Sequence, residues 1–519
     1  MTANGSIPTP PASATASPKG FEDFGLRTTS YPAIKNATLP ADGAGYDSFS
    51  AGFLTSLLLL VPAAATWKVG GGSFTFAIFL FTLGVPISVA FWFVASRISP
   101  PIKDNVRGPG RPVEQYLSFK TEHDRAKYWG RHKISMETFT RMYFAGEVDF
   151  NGDALAALEY RHDWASFKFT WGLFRFVLLT LVPEVIMSHV PSSNSPDAVY
   201  PAKAVANRSH LEQRNRKHED RGSDFYAWFL GPRMTYSSGI VSDMQAEESL
   251  EEVQDNKLAV VCEKINLKAG DKLLDIGCGW ASLATFASVN YKAKVTGVAP
   301  NQNQADLGNW RLQCAGLSEY QSRIQFLKTQ EVMPSKYDKI TCLQVSEQVG
   351  KMKMSKFFQQ CYDMLEDDGI FYVEVTGLRR AWQYEDLVWG LFLKKHIPEA
   401  GALWPLGRYV TALEAAGFEV QNIDTVGYHY SATLWRWYKN WVSNADKVTA
   451  KYGKRWYRIW EYFLAASTIA SRQGTTSCHQ ITLVKNLNGV HRSDLHKTQF
   501  SVAGALASSK NAGKAQFPL

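Results

Sequence analysis

The clearest pattern of apolar and polar positions lies at residues 272–304. Leu273, Leu274 and Ile276 form a short apolar run that ends at a glycine turn, and a helix-like segment with one apolar face follows. A second β-like run, residues 294–298, returns after about one helix length. The order strand, turn, helix and strand predicts a βαβ crossover, in which a ligand binds at the carboxyl ends of the strands.

The same alternation continues toward the C-terminus and predicts an α/β fold with a doubly wound sheet. Helical patterns separate most of the further β-like runs, which are residues 324–327, 337–345, 369–375, 418–424 and 479–485. Two insertions, residues 379–408 and 429–471, interrupt the alternation and carry many aromatic side chains. Aromatic insertions over a ligand cleft favour a tunnel for a lipid chain, although an aromatic stripe also forms ordinary core.

Two uncharged apolar runs stand near the N-terminus, at residues 49–66 and 73–96. The second run is long enough to cross a bilayer and the first is marginal, so together they predict a transmembrane helical hairpin. A buried pair of core helices is the alternative, because Pro62 and Pro86 interrupt the runs. Basic residues follow the hairpin, and the positive-inside tendency therefore places this end in the cytosol.

The remaining regions are predicted from composition. The N-terminal stretch lacks the apolar core of a signal peptide. The expected organisation is a disordered tail at 1–48, a helical membrane-associated region at 97–190, a linker at 191–213, a catalytic domain at 214–488 and a disordered tail at 489–519. The apolar segment 167–187 is expected to lie in the membrane interface or to cap a core, rather than to cross the membrane a third time.

The amino-acid composition limits the classes of molecule that the protein is expected to bind. At 519 residues the chain exceeds one ordinary domain, and its net charge is +8. The basic residues are scattered among aromatic ones, which favours an anionic membrane surface over nucleic acid. The six cysteines lie far apart without a C-x-x-C pair or clustered histidines, so we expect neither a metal site nor a disulfide framework. A reducing, cytosol-facing compartment is expected for the catalytic part.

A glycine turn after a strand binds nicotinamide cofactors, flavins or S-adenosylmethionine in different proteins, and some such turns bind no ligand. Here the turn is D-x-G-x-G, from Asp275 to Gly279, rather than the G-x-G-x-x-G of dinucleotide sites. The second strand ends in Ala299-Pro300-Asn301-Gln302-Asn303-Gln304, without the acidic residue that would hold a dinucleotide ribose. Both features argue against a dinucleotide.

The turn, followed by Trp280 and accompanied by Gly297 and Gln304, resembles the S-adenosylmethionine site of the cyclopropane fatty acid synthase family. The resemblance implies a class I S-adenosylmethionine-dependent methyltransferase fold, Rossmann-like, with a seven-stranded sheet and helical lid insertions. It implies S-adenosyl-L-methionine as cofactor and Gln304 at its ribose. The implied cofactor-binding residues are Tyr236, Ser237, Leu273, Leu274, Asp275, Ile276, Gly277, Cys278, Gly279, Trp280, Ala281, Ala299, Pro300, Asn301, Gln302, Asn303, Gln304, Thr329 and Gln330.

The stretch around Glu347 resembles the F-E-H-x-G motif of the same family, in which the glutamate belongs to a bicarbonate-binding active site. Glu347 is therefore the first candidate for a group that stabilises charge or orients a base, and a carboxylate at a helix start is the alternative. The family's H-x-I motif is replaced by residues 373–377, and its late tyrosine aligns with Phe463, beside Tyr462. The bicarbonate site is therefore expected to be incomplete.

The hairpin and three longer stretches, residues 382–390, 429–438 and 471–474, resemble the fungal sphingolipid C-9-methyltransferases. This resemblance implies methylation of carbon 9 of a Δ8-unsaturated sphingoid base in ceramide or glucosylceramide, at the endoplasmic reticulum membrane. It implies that His429, Tyr430 and Trp435 line the acceptor cleft, or else simply pack the insertion. The candidate catalytic residues are therefore Glu347, Tyr430, Tyr462 and His429. Two other functions stay open: a cyclopropane synthase for phospholipid acyl chains, and a membrane scaffold that binds the cofactor without turnover.

Overall fold

The computed structural model describes most of the chain, namely residues 51–98, 110–177, 179, 221–243, 245–326, 336–349, 353–380, 384–397, 400, 403–490, 495, 498–514 and 516–517. The predicted N-terminal tail and linker lie outside these residues, as do Thr329 and Gln330. The chain divides into two compact units, residues 39–194 with 381–398, and residues 1–38, 195–380 and 399–519.

The smaller unit contains the apolar hairpin. Its helices are α1 (Ala51–Lys68) and α2 (Ser73–Ile98), and the ring of Phe53 lies 6.0 Å from that of Phe91. Much of their apolar surface is exposed, including Phe74 and Phe81 at 79% and 74%. By length and composition, Ser73–Ala95 could cross a membrane, whereas Gly52–Lys68 is a shorter apolar helix.

The rest of this unit contains helices, as predicted for residues 97–190, together with four short strands that the sequence did not indicate. Its elements are β1 (Leu117–Phe119), α3 (Glu122–Lys127), β2 (Ile134–Ser135), α4 (Met136–Ala145), β3 (Val148–Phe150), α5 (Ala154–Glu159), α6 (Arg161–Trp164), β4 (Ala165–Ser166) and α7 (Trp171–Phe176). Strands β1 and β3 pair antiparallel, and β2 and β4 pair parallel. Strands this short carry too few residues for an alternating pattern to stand out.

The helix Tyr384–His396 also belongs to the smaller unit, although the sequence placed it in a lid of the catalytic domain. Glu385 on this helix forms ion pairs with Arg161 and His162. The ring of Phe392 lies 6.2 Å from that of Phe144. Long-range pairs of this kind leave no local periodicity, so the sequence pattern did not indicate them.

The larger unit is built on the predicted seven-stranded sheet, with strand order β10-β11-β9-β8-β5-β6-β7. Its elements are α8 (Ser223–Leu230), α9 (Leu250–Lys264), β5 (Lys272–Ile276), α10 (Ser282–Tyr291), β6 (Lys294–Ala299), α11 (Gln302–Cys314), β7 (Ser322–Phe326), β8 (Tyr337–Leu343), α12 (Met354–Met364), β9 (Leu365–Leu378), α13 (Leu406–Ala415), β10 (Phe418–Thr425), α14 (Gly427–Ser443), α15 (Ala445–Tyr452), α16 (Lys454–Arg472), β11 (Thr476–Lys485) and α17 (Val502–Asn511).

Strand β11 runs antiparallel to both of its neighbours, β9 and β10, whereas β5 to β9 pair in parallel. This arrangement confirms the class I methyltransferase fold. Apolar side chains cover both faces of the sheet, with Phe286 of α10 in one core cluster and Phe357 of α12 in the other. The order also brings the carboxyl ends of β5, β6 and β8 together at one edge.

The aromatic residues of the second insertion pack as a core. Trp437, Trp441 and Trp460 are almost fully buried in α14 and α16. The rings of Trp441 and Trp460 lie 5.0 and 5.1 Å from Phe225 of α8. These three tryptophans therefore form the ordinary core that was the alternative to a lipid tunnel.

The predicted disorder at 489–519 is wrong for α17. Ser501 caps this helix by accepting a hydrogen bond from the backbone amide of Gly504, at 3.1 Å. Ala505 and Leu506 are buried in a cluster with Val260 of α9. One narrow apolar face is enough to dock this helix on the larger unit. In the sequence, the segment looks like a low-complexity stretch because most of its residues are small.

Candidate functional site

The glycine turn after β5 has the backbone that only glycine adopts easily. Gly277 and Gly279 have φ angles of 73° and 54°. A Cβ atom on Gly277 would lie 2.4 Å from Cγ2 of Val345, whereas one on Gly279 would meet no atom within 4 Å. Gly277 is therefore required by both conformation and contact, and Gly279 by conformation.

A cavity of about 240 Å³ lies at this turn. Its lining includes the predicted cofactor residues Tyr236, Ser237, Asp275, Gly277, Cys278, Gly279, Trp280, Pro300, Asn301 and Gln304. Sequence reasoning did not assign the other lining residues, which are Tyr226, Met234, Thr235, Leu258, Ser282, Leu283, Leu343, Gln344 and Val345. Residues of α8, α9 and the end of β8 therefore line the cavity, together with residues of the βαβ crossover.

Several predicted cofactor residues are not among the lining. Leu273, Leu274 and Ile276 are buried in the strand itself, where Leu273 belongs to one core cluster and Leu274 and Ile276 belong to the other. Ala281 and Ala299 are likewise buried behind the turn. Gln302 and Asn303 are exposed in the first turn of α11. Their part in binding stays a prediction.

Two buried oxygen atoms at the cavity lack a hydrogen-bond partner among the described residues, Oδ2 of Asp275 and Oε1 of Gln304. Oδ1 of Asp275 accepts a hydrogen bond from Thr341 at 3.0 Å. Burial raises the pKa of Asp275 to about 6, while Thr341 and the cation of Lys257 oppose the rise. These acceptors fit the ribose hydroxyls and the ammonium group of S-adenosylmethionine.

Helix α9 fixes the backbone that carries Tyr236 and Ser237. Nζ of Lys257 donates a 2.5 Å hydrogen bond to Oγ of Ser237, and Nε2 of Gln254 donates to the Ser237 carbonyl at 3.0 Å. Lys257 is fully buried, and burial lowers its pKa. A lysine on the core side of a helix was the sequence signal for this support, since such a position normally requires a polar partner.

Glu347 lies in a short 3-10 helix, Ser346–Val349, that follows β8. Its side chain is buried, and its Oε1 accepts a 2.5 Å hydrogen bond from the backbone amide of Thr376 at the end of β9. Burial raises the pKa of Glu347 to about 7, and the nearby Glu374 carboxylate adds to the rise. The carboxyl group is therefore able to change protonation state near neutral pH.

The other predicted catalytic residues divide between two surroundings. Tyr430 is partly buried near Glu347 and Glu374, and burial together with these carboxylates raises the pKa of its hydroxyl. His429 contacts a loop instead, and its Nδ1 accepts a 3.1 Å hydrogen bond from the backbone amide of Val241. Tyr462 is buried in α16. The structure thus brings together Glu347 and Tyr430, and it gives His429 a contact that supports a loop.

Comparison with known proteins agrees with this architecture. The family model described as mycolic acid cyclopropane synthetase matches residues 206–481. A protein of Gibberella zeae named sphingolipid C9-methyltransferase 1 is 55% identical over 498 residues, covering 95% of this chain and 93% of its own. Sphingolipid C9-methyltransferase A of Emericella nidulans is 53% identical over 516 residues, covering 99% and 96%.

Among solved structures, a cyclopropane synthase from Mycobacterium tuberculosis aligns over 54% of this chain and 99% of its own, with 24% identity and a TM-score of 0.49. The full-length matches exceed half identity and include the N-terminal unit as well as the sheet. The chain therefore belongs to the sphingolipid C9-methyltransferases, within the wider mycolic acid cyclopropane synthetase family.

Proposed function

We propose that this protein transfers a methyl group from S-adenosylmethionine to carbon 9 of a Δ8-unsaturated sphingoid base and keeps the double bond. The observation that carries the proposal is a cavity of about 240 Å³ lined by the glycine turn and the end of β8, from which the chain leads directly into the buried Glu347. The names of the full-length relatives support the sphingolipid class of substrate.

S-adenosylmethionine, when bound, supplies an electrophilic methyl group. The glycine turn, Asp275 and Gln304 would hold it at the sheet edge, and Ser237 is positioned there by Lys257. The π electrons of the alkene would form the new bond from carbon 9 to the methyl group while the methyl–sulfur bond breaks and its electron pair leaves with S-adenosylhomocysteine, so that positive charge would remain on carbon 8. Loss of the proton on carbon 9 returns that electron pair and restores the double bond.

The chain must stabilise the transient charge and receive the proton. Glu347 suits this task because its pKa of about 7 allows it to be ionised before the reaction and protonated after it. Tyr430, which lies near Glu347 and is partly buried, would line the same side of the site. Because Glu347 is buried, it would receive the proton away from bulk water.

The hairpin α1–α2 is proposed to anchor the protein in the endoplasmic reticulum membrane, with the catalytic unit in the cytosol. Support comes from the length and exposed apolar surface of α2. Extraction of cell membranes with alkaline carbonate tests the anchor. The full chain should stay in the pellet, and its appearance in the supernatant would contradict the proposal.

The activity test incubates the purified full chain with S-adenosylmethionine and a ceramide that contains a Δ8 double bond. Methyl branching and ring closure both add one CH2 group, so mass alone does not separate the two reactions. Ozonolysis does, because a branched alkene is cleaved and a cyclopropane is not. A cleavable branched product is expected, and a resistant ring would show that the protein is a cyclopropane synthase.

A further inference from the structure

Gln344 occupies an unusual position at the cofactor cavity. It directly follows β8 and lines the cavity between Leu343 and Val345. Its φ angle is 53°, in the left-handed region where glycine is the ordinary residue and glutamine is strained. Strained backbone of this kind persists at functional sites when the surrounding contacts hold it.

Those contacts come from Glu374 and Cys478. The backbone amide of Gln344 donates to the Glu374 carbonyl at 2.8 Å. Its side-chain Nε2 donates to Oε1 of Glu374 at 3.1 Å and contacts Sγ of Cys478 at 3.0 Å. Both amide hydrogens are thereby used, which leaves the side-chain carbonyl oxygen as the polar atom available to a ligand.

Glu374 strengthens that carbonyl oxygen as an acceptor. Its carboxyl group is fully buried and also accepts a hydrogen bond from Nε2 of Gln480, at 3.1 Å. Burial raises the pKa of Glu374, whereas the Lys257 cation and the two glutamine amides favour its charged form. The hydrogen bond from the NH2 group to this carboxyl oxygen polarises the amide and places more negative charge on its carbonyl oxygen.

We propose that the Gln344 carbonyl oxygen faces the positive sulfonium of the methyl donor, with Glu374 as the positioning residue behind it. Gln344 stands on the β8 side of the cavity, next to the chain that leads to Glu347, whereas Gln304 stands on the β6 side. The proposal rests on the proposed function, since it assigns the reacting end of the cofactor to the β8 side. It makes Gln344 a residue that recognises the charge of the donor.

Calorimetric binding tests this proposal without lipid acceptor or turnover. S-adenosylmethionine and S-adenosylhomocysteine differ by the methyl group and its positive charge, and sinefungin carries an amine cation at the same place. In the full chain, Gln344→Gly should weaken binding of the two cationic ligands about tenfold and of S-adenosylhomocysteine less than twofold. Glycine accepts the φ angle of this position, so the variant should fold.

Two further variants complete the design. Gln344→Asn tolerates the left-handed backbone but is too short to reach Glu374, and it should show the same selective loss. Gln304→Ala is the matched control, a second lining glutamine whose loss should weaken all three ligands alike. Equal losses for charged and neutral ligands in both Gln344 variants, or no loss, would overturn the inference. Ozonolysis of the wild-type product tests the proposed function separately.

Discussion

Replacing Glu347 by Gln should separate the contribution of this carboxylate to the reaction rate from its destabilising effect on the folded protein. Gln keeps an oxygen that accepts the Thr376 amide hydrogen, so the local geometry is preserved while the titration is lost. The folded protein holds the pKa of Glu347 at about 7, against 4.5 ordinarily. At 1.36 kcal/mol for each pKa unit, this difference corresponds to roughly 3 kcal/mol of stability.

The sign follows from proton uptake. Between about pH 4.5 and pH 7 the folded state holds a proton at Glu347 that the unfolded state has released, so folding is favoured below 4.5 and loses stability as pH rises through 7. The free energy of unfolding of Glu347→Gln, measured relative to that of the wild type, should therefore be up to about 3 kcal/mol higher at pH 8 than at pH 4.5. Wild-type activity should change in the opposite direction, rising with pH through about 7 as the base ionises.

The assay compares thermal unfolding of both full-length proteins in detergent across this pH range with the rate of sphingolipid methylation. We expect the unfolding temperature of the variant to rise relative to that of the wild type between about pH 4.5 and pH 7, and its rate to fall about 100-fold or more. Binding of S-adenosylhomocysteine, unchanged in the variant, is the control for folding. A pH-independent difference in stability, or an undiminished rate, would refute the reasoning.

Three other perturbations follow from single contacts. Gly277→Ala places a methyl group against Val345 at a left-handed φ angle and should cost about 2–4 kcal/mol and abolish cofactor binding, measured by thermal unfolding and calorimetry; full binding would contradict the steric argument. Lys257→Met removes the donor to Ser237 and should weaken S-adenosylhomocysteine about tenfold, whereas the exposed Lys292→Met should not. Deletion of residues 498–519 removes the α17 contacts and should lower the unfolding temperature by several degrees, and an unchanged temperature would show that the docked helix contributes nothing.

The sequence alone determined the elements of the cofactor crossover and the chemistry that they carry. Strand β5, its glycine turn and α10 follow from apolar periodicity and from two glycines, because these are short-range properties of the chain. The recurring β-like runs likewise determined the sheet. Family-specific stretches, including the one with Glu347, indicated the cofactor and the reaction before any contact was known.

Only the tertiary structure decided which polar groups meet. Strand order places Glu347, which follows β8, against Thr376 near the end of β9, and it brings Glu374 of β9 beside Gln344. Lys257 supports Ser237 from twenty residues away. The φ angle of a glutamine, the docking of a small-residue helix and the burial that raises a carboxylate pKa all depend on neighbours distant in sequence. Local patterns specify elements, whereas a site arises where packing removes water from groups that the chain order keeps apart.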